Sequence, residues 1–302
     1  MGTNLVFAVV ITEMLVDCMS LLMTFPGYIF IIVVNILDWR RNKRLNISDQ
    51  LISGLGLLTL LHKIAQVTFR YDVLLGGLHV HTSFTWFCIR LTFNSLNFCI
   101  LLLSTLLAIH FCLKIVNINQ NFYIYIQRMF PKMFPWILLP SVLVSLLISV
   151  PAAQSTSQLN SISFGLFNTS SFSMDIFISV PLYYTFYAFC FAIFFILLLT
   201  TIVSLSRHIH RLRNNSGNLG SETVQAHVGA VKTLLCLFFL NLLQFCLPIF
   251  IIFEKTEHWI IYVYILLLII WHILDLPILF RGSRKLQKKL DEMWLYFTRL
   301  FS

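Results

Sequence analysis

The sequence predicts an all-α membrane protein: a seven-transmembrane helix bundle followed by a short amphipathic C-terminal helix. Three observations carry that prediction. First, 58% of the 302 residues are hydrophobic and only 11% are charged, against about 45–50% and about 25% in soluble domains. So little charge cannot cover the surface of a soluble protein, and the 29 Phe and 10 Tyr exceed what a soluble core of this size needs. Second, the apolar residues fall in long runs, near the roughly 20 residues a spanning helix requires. They do not alternate at the period of two that marks a barrel strand. Third, the runs fill the chain and leave no room for a separate soluble domain.

In chain order, the first run covers residues 5–37 and is interrupted by Glu13, Asp17 and Pro26-Gly27. It is long for one span, so its outer end is expected to tilt or project. A charged segment, residues 38–50, separates it from the second run at 51–69. A polar stretch from Arg70 to Thr82 precedes the third run, at 84–113. The fourth, 133–150, is bounded by Pro131, Pro135, Pro140 and Pro151, and the Ser/Asn-rich segment Gln154–Ser173 reads as a loop. Runs at 176–205, 231–253 and 259–280 complete seven spans. In the remaining tail, Leu286, Leu290, Met293, Phe297 and Leu300 share one helical stripe opposite Lys and Arg, the pattern of a helix lying on the inner membrane surface. The division is therefore a membrane domain over residues 1–281 and a cytoplasmic amphipathic tail over 282–302.

The net charge of +9 reflects topology rather than nucleic-acid binding. Arg40, Arg41, Lys43 and Arg44 follow span one, and Lys114, Arg128 and Lys132 follow span three. Arg207, Arg211, Arg213 and Lys232 lie between spans five and six, and Arg281, Arg284, Lys285, Lys288, Lys289 and Arg299 follow span seven. All fall on one face, leaving Lys63, Arg70, Arg90 and Lys255 elsewhere. The positive-inside rule then puts the N-terminus outside the cell and the tail in the cytoplasm. No cleavable signal peptide is expected, since the start lacks a basic region and Glu13 interrupts the apolar run.

Several chemistries find no support. There is no Gly-rich phosphate loop, no His-Glu-x-x-His and no Gly-x-Ser-x-Gly, so neither an enzyme nor a cofactor site is expected. The pairs His79/His81 and His208/His210 lack a Cys or carboxylate to complete a metal site. The seven cysteines lie in or at the ends of spans and read as small buried hydrophobes. No internal repeat points to a transporter, and no filter loop or charged ring to a channel. What remains suits a receptor that takes a small molecule outside and engages a protein inside.

Specific strings sharpen this. DWRRNKRLNISDQLI (38–52) resembles the first cytoplasmic loop of bitter taste (type 2 taste) receptors. FCLKIVNIN (111–119), SLSRH (204–208) and AHVGAVKTLL (226–235) are similar to that family's strings closing span three, closing span five and opening span six. They stand in the right order, so the resemblance covers nearly the whole chain. Departures occur: Tyr28 replaces an Asn, Leu58-Thr59 a Ser-Arg, Cys190 a Pro and Asn241 a Tyr. In span seven, Asp275, Leu276, Ser283 and Arg284 align with lost motif positions, and Lys285-Leu286 is retained. Alternatives are a vomeronasal type 1 pheromone receptor, which usually carries an extracellular cysteine pair whereas the second outer loop here has no cysteine, and a seven-helix transporter.

The resemblance implies a G-protein-coupled receptor in the plasma membrane. Its partners would be a bitter small-molecule agonist, a gustducin-like heterotrimeric G protein and membrane lipid. It implies coupling roles for Lys114, His208, His227 and Lys232. It also implies ligand contact for Asn97 and Phe93, which align with the family's ligand-contacting Asn and its Trp; their spacing of four stacks them on one helix face. Asn241, Tyr184, Tyr187, Gln244 and Tyr262 are added by depth and residue type. With no acid on this lining, neutral agonists, or cations held by aromatic faces, are expected. Two expectations come from the residues themselves. Buried charge needs a partner, so Lys63 is expected to pair with Asp17, and Asn168-Thr169-Ser170 is a glycosylation sequon in an outer loop. Asn46 and Asn214 open similar sequons on the inner face.

Overall fold

The computed structural model describes residues 2–43, 45–75, 83–115, 121–163, 173–215, 221–253 and 258–301. These form eight helices: α1 (Gly2–Asn42), α2 (Ile47–Leu75), α3 (Ser83–Ile115), α4 (Asn121–Ser163), α5 (Ser173–Asn215), α6 (Ser221–Phe253), α7 (His258–Gly282) and α8 (Arg284–Phe301). Seven of them, α1 to α7, carry apolar stretches long enough to cross a membrane, and no strand occurs among the described residues. The chain is a multi-pass membrane protein.

Local chemistry sets the junctions. At the end of α1, Lys43 adopts a left-handed backbone with φ 56°, and its N–H donates to the Trp39 carbonyl at 2.8 Å. That is the helix-ending turn usually given to glycine. Between α7 and α8, the Ser283 N–H reaches the Phe280 carbonyl at 3.3 Å and its own carbonyl accepts the Gln287 N–H at 3.2 Å. One residue therefore redirects the chain. The Ser283 hydroxyl donates to Asp49 Oδ1 at 3.2 Å, fixing the bend to α2.

The fourth helix departs from expectation. It runs from Asn121 to Ser163, so the segment from Gln154 to Ser163 is helical rather than loop, and the four bounding prolines lie within it. No glycine occurs between Asn121 and Gly165, so nothing in that polar stretch forces the helix to stop. Prolines are tolerated in membrane helices because neighbouring groups re-satisfy the freed carbonyls. Similarly, α2 continues past Phe69 to Leu75.

Helix α3 is the hub, packing against α2, α4, α5 and α6, while α1 closes on α2 and α7. Its inward residues Phe98, Leu101, Leu107 and Ala108 are fully buried. Trp136 and Leu147 of α4 are instead 77% and 71% exposed, as lipid-facing residues should be. Lipid is as apolar as leucine, so close packing and polar contacts must hold the helices together. Gly27 marks one such contact: a Cβ there would lie 2.5 Å from Leu276 Cδ2, so α1 and α7 meet where α1 has no side chain.

Candidate functional site

One stripe of α3 faces the interior in the N-terminal half of that helix. Arg90, Phe93 and Asn97 follow at helical spacing. The Phe93 ring lies 4.8 Å from His62 and 5.8 Å from Phe69, both on α2. Asn97 hydrogen-bonds the Tyr183 side chain of α5, whose hydroxyl also donates to the Asn94 carbonyl at 3.1 Å. The Asn97 Oδ1 atom is buried without a hydrogen-bond partner. Leaving such an acceptor unused costs roughly 1–3 kcal/mol.

Across from this stripe, α5 and α6 interlock through rings. Tyr187 is buried and stacks on Phe245 at 5.6 Å, and its hydroxyl has no hydrogen-bond partner. Tyr184 meets Phe245 edge-on at 6.2 Å. Deeper, the Asn241 amide donates to the Leu237 carbonyl at 2.8 Å and lies 3.4 Å from Ser104 Oγ of α3. Asn241 and Gln244 line a cavity of about 30 Å³ with Thr59, Trp271 and Asp275. That volume suits a bridging water and is far below the roughly 300 Å³ of a drug-sized site.

The structure thus brings Phe93 and Asn97 together on α3, and Tyr184 and Tyr187 together on α5. It sets Asn241 deeper, beside Ser104, while Gln244 reaches His62, on which the Phe93 ring packs, at 3.5 Å. The side chains of Tyr262, His208 and His227 lie outside the described residues, as do Asn168, His79 and His81.

A buried charged network joins α1, α2 and α7 beside this site. Lys63 does not reach Asp17 directly, contrary to expectation. Its ammonium lies 2.8 Å from Asp275 Oδ2, donates to Ser20 Oγ at 2.7 Å and contacts His272 Nδ1 at 3.3 Å. His272 Nε2 in turn lies 2.7 Å from Asp17 Oδ1. An ammonium only donates, so Nδ1 must accept and Nε2 carries the hydrogen toward Asp17. Asp17 also accepts from Gln66 at 3.1 Å, and Arg70 contacts both Asp17, at 3.6 Å, and Glu13. The reason for the change of partner is depth. Arg70 stands two turns above Lys63 on the same face of α2 and takes the α1 carboxylates, while α7 offers Asp275 at the level of Lys63.

At the other end, Lys114 of α3 and Lys232 of α6 are exposed. A cleft of about 380 Å³ between α5 and α6 is lined by Ile202, Leu205, Ser206, Ile209, His210 and Val231. Nearby, Lys285 of α8 meets Asp38 at 2.5 Å and Asn35 at 3.2 Å, and the Asn35 amide donates to Ser53 at 2.6 Å. Asp38 and Asp49 belong to the first string on which the family resemblance rests, and Lys285 to the pair retained in span seven.

Sequence reasoning passed over His62, His272 and Gln66 as network members. Each is a polar residue within an apolar run, which is expensive in a membrane and therefore points inward to partners.

Seven packed helices, with a polar interior in one half and exposed basic ends in the other, define a seven-helix membrane receptor. The family described as taste receptor protein (TAS2R) matches residues 5–298, and the chain belongs to that family, the bitter taste receptors. It is 26% identical over 240 residues to taste receptor type 2 member 41 of Gorilla gorilla gorilla, covering 72% of each chain. It is 26% identical over 220 residues to taste receptor type 2 member 2 of Homo sapiens, covering 69% of this chain and 70% of that one. Taste receptor type 2 member 4 of Gorilla gorilla gorilla is 27% identical over 243 residues, or 75% of each. The pheromone-receptor and transporter alternatives give way to this match.

Proposed function

We propose that this receptor binds bitter small molecules from outside the cell and activates a gustducin-like G protein at its inner face, in the plasma membrane. The observation that carries the reading is the placement of Asn97. Its buried, unused acceptor sits one turn from Phe93 on the inward stripe of α3, in a chain matched to the taste receptor family over 294 residues, 5–298. A ligand hydroxyl or amine would satisfy that acceptor, and the rings of Phe93, Tyr184 and Tyr187 would hold its apolar body. Tyr262, Asn241 and Gln244 are assigned to the site by depth and residue type. The agonist must favour one helix arrangement over another to shift the equilibrium. The aromatic interface of α5 with α6, and the Asn241–Ser104 contact, are where such a shift would be felt. Lys114, His208, His227 and Lys232 then contact the G protein at the inner face. The N-terminus lies outside, which puts a glycan on Asn168 within reach of the glycosylation machinery.

Calcium release in cells expressing the receptor with a promiscuous G protein, screened against bitter compounds and steroidal pheromone-like compounds, tests this. A response to bitter compounds is expected. Response only to the second class would overturn the assignment.

A further inference from the structure

Arg90 is the cation the charged network leaves over. It stands on α3 three residues before Phe93 and seven before Asn97, partly buried and facing α2 and α5. Its guanidinium carbon lies 4.0 Å above the Phe69 ring. Among the described residues it makes no ion pair, and its Nε is shut off from solvent with no hydrogen-bond acceptor. Arg70, of like sign, lies within its electrostatic reach, and so does the Tyr184 phenol. Arg70 itself holds Glu13 and Asp17, so neither α1 carboxylate serves Arg90.

A simpler role would be packing. Arginines near helix ends commonly extend their heads to the membrane surface. Arg90 instead sets its guanidinium over an aromatic ring inside the bundle. That ring satisfies one face of the guanidinium, but the N–H donors point from its edge, where a ring offers nothing. An unpaired ionisable group facing a bundle interior is a functional site by default, and a guanidinium matches a carboxylate in a two-pronged fit.

We propose that Arg90 is the recognition group for an anionic agonist, a largely apolar organic acid carrying a carboxylate. The inference rests on the agonist site proposed above and names its ligand class, replacing the neutral or cationic agonists expected from the sequence. Seven residues of helix put Arg90 roughly 10 Å from Asn97. The acid would therefore bind Arg90, lay its rings between Phe93 and Tyr187, and donate a hydroxyl to Asn97 Oδ1. Tyr184 adds a second donor to the carboxylate.

The test compares matched pairs in the calcium assay. The probes are 4′-hydroxybiphenyl-4-carboxylate, naphthalene carboxylates and hydroxylated sterol acids, each beside its methyl ester. Neutral bitter glycosides and xanthines serve as the independent agonist set. Acids should be at least tenfold more potent than their esters on the unaltered receptor. Arg90→Gln should weaken the acids about tenfold to a hundredfold and leave neutral agonists within about threefold, and Arg90→Lys should fall between. Equal potency of acid and ester overturns the proposal, and so does unchanged acid potency in a surface-expressed Arg90→Gln receptor. Should Arg90→Gln fail to reach the surface, the acid and ester comparison on the unaltered receptor decides alone. Activation by neutral agonists but by none of the acids sinks the anionic site only. Silence to every compound sinks the agonist site with it.

Discussion

Replacing Lys63 by Met removes the cation shared by three helices. The Lys63 ammonium lies 2.8 Å from Asp275 Oδ2 of α7 and 2.7 Å from Ser20 Oγ of α1. At that ion-pair distance and an effective dielectric of about 20, the attraction amounts to about 6 kcal/mol. Much of it offsets the cost of taking both charges out of water. The single substitution leaves Asp275, 4% exposed, without its cation, and breaking a buried pair in this way costs about 3–5 kcal/mol. Asp275→Leu should cost a similar amount by stranding Lys63. The double variant Lys63→Met/Asp275→Leu strands neither charge and should be more stable than either single one. Thermal unfolding of the detergent-solubilised receptor, followed by size-exclusion fluorescence, measures all three. If the double variant loses the sum of the two single losses, or if either single variant melts like the parent, the pair is not what holds α2 to α7.

Other consequences are more local. Gly27→Ala should cost about 0.5–1.5 kcal/mol, since Leu276 must leave its rotamer, and Gly27→Leu should lower surface expression markedly; Leu276→Ala should restore Gly27→Ala. The Lys285–Asp38 pair is 25% and 31% exposed on its two sides, so Lys285→Ala should shift thermal stability by about 1 kcal/mol or less. Asn168→Gln should abolish the glycosidase-sensitive mass shift on a gel; a glycan found on Asn46 or Asn214 would invert the topology. Lys114→Ala and Lys232→Ala should reduce G-protein activation at matched surface expression, and full signalling would remove their coupling role.

The seven spans were legible because apolar runs of this length have one economical interpretation in a chain with so little charge. The ends of α4 were not. Proline stops helices reliably in water, but in α4 it lies inside a continuous helix, so the expected boundaries at Pro131 and Pro151 failed. The partner of Lys63 was unreadable for a different reason. Three carboxylates were available, and the choice depends on the relative depth of α1 and α7, which no local pattern encodes. Asp275 did carry a signal, an acid alone in the apolar run of α7. His62 and His272 carried less, because a histidine in such a run reads equally as packing. Phe93 and Asn97 came from family resemblance. Arg90 stood out in the sequence only as one of the few basic residues away from the inner face.

Agonist binding at the α3 stripe is the centre of the proposed function. Agonist-dependent nucleotide exchange by a gustducin-type G protein, measured on membranes holding the receptor, addresses this directly. Asn97→Ala and Phe93→Ala should each raise the agonist concentration for half-maximal exchange about tenfold, with receptor abundance and basal exchange unchanged. Unchanged potency in both variants, for several chemically unrelated agonists, would place the binding site elsewhere in the bundle.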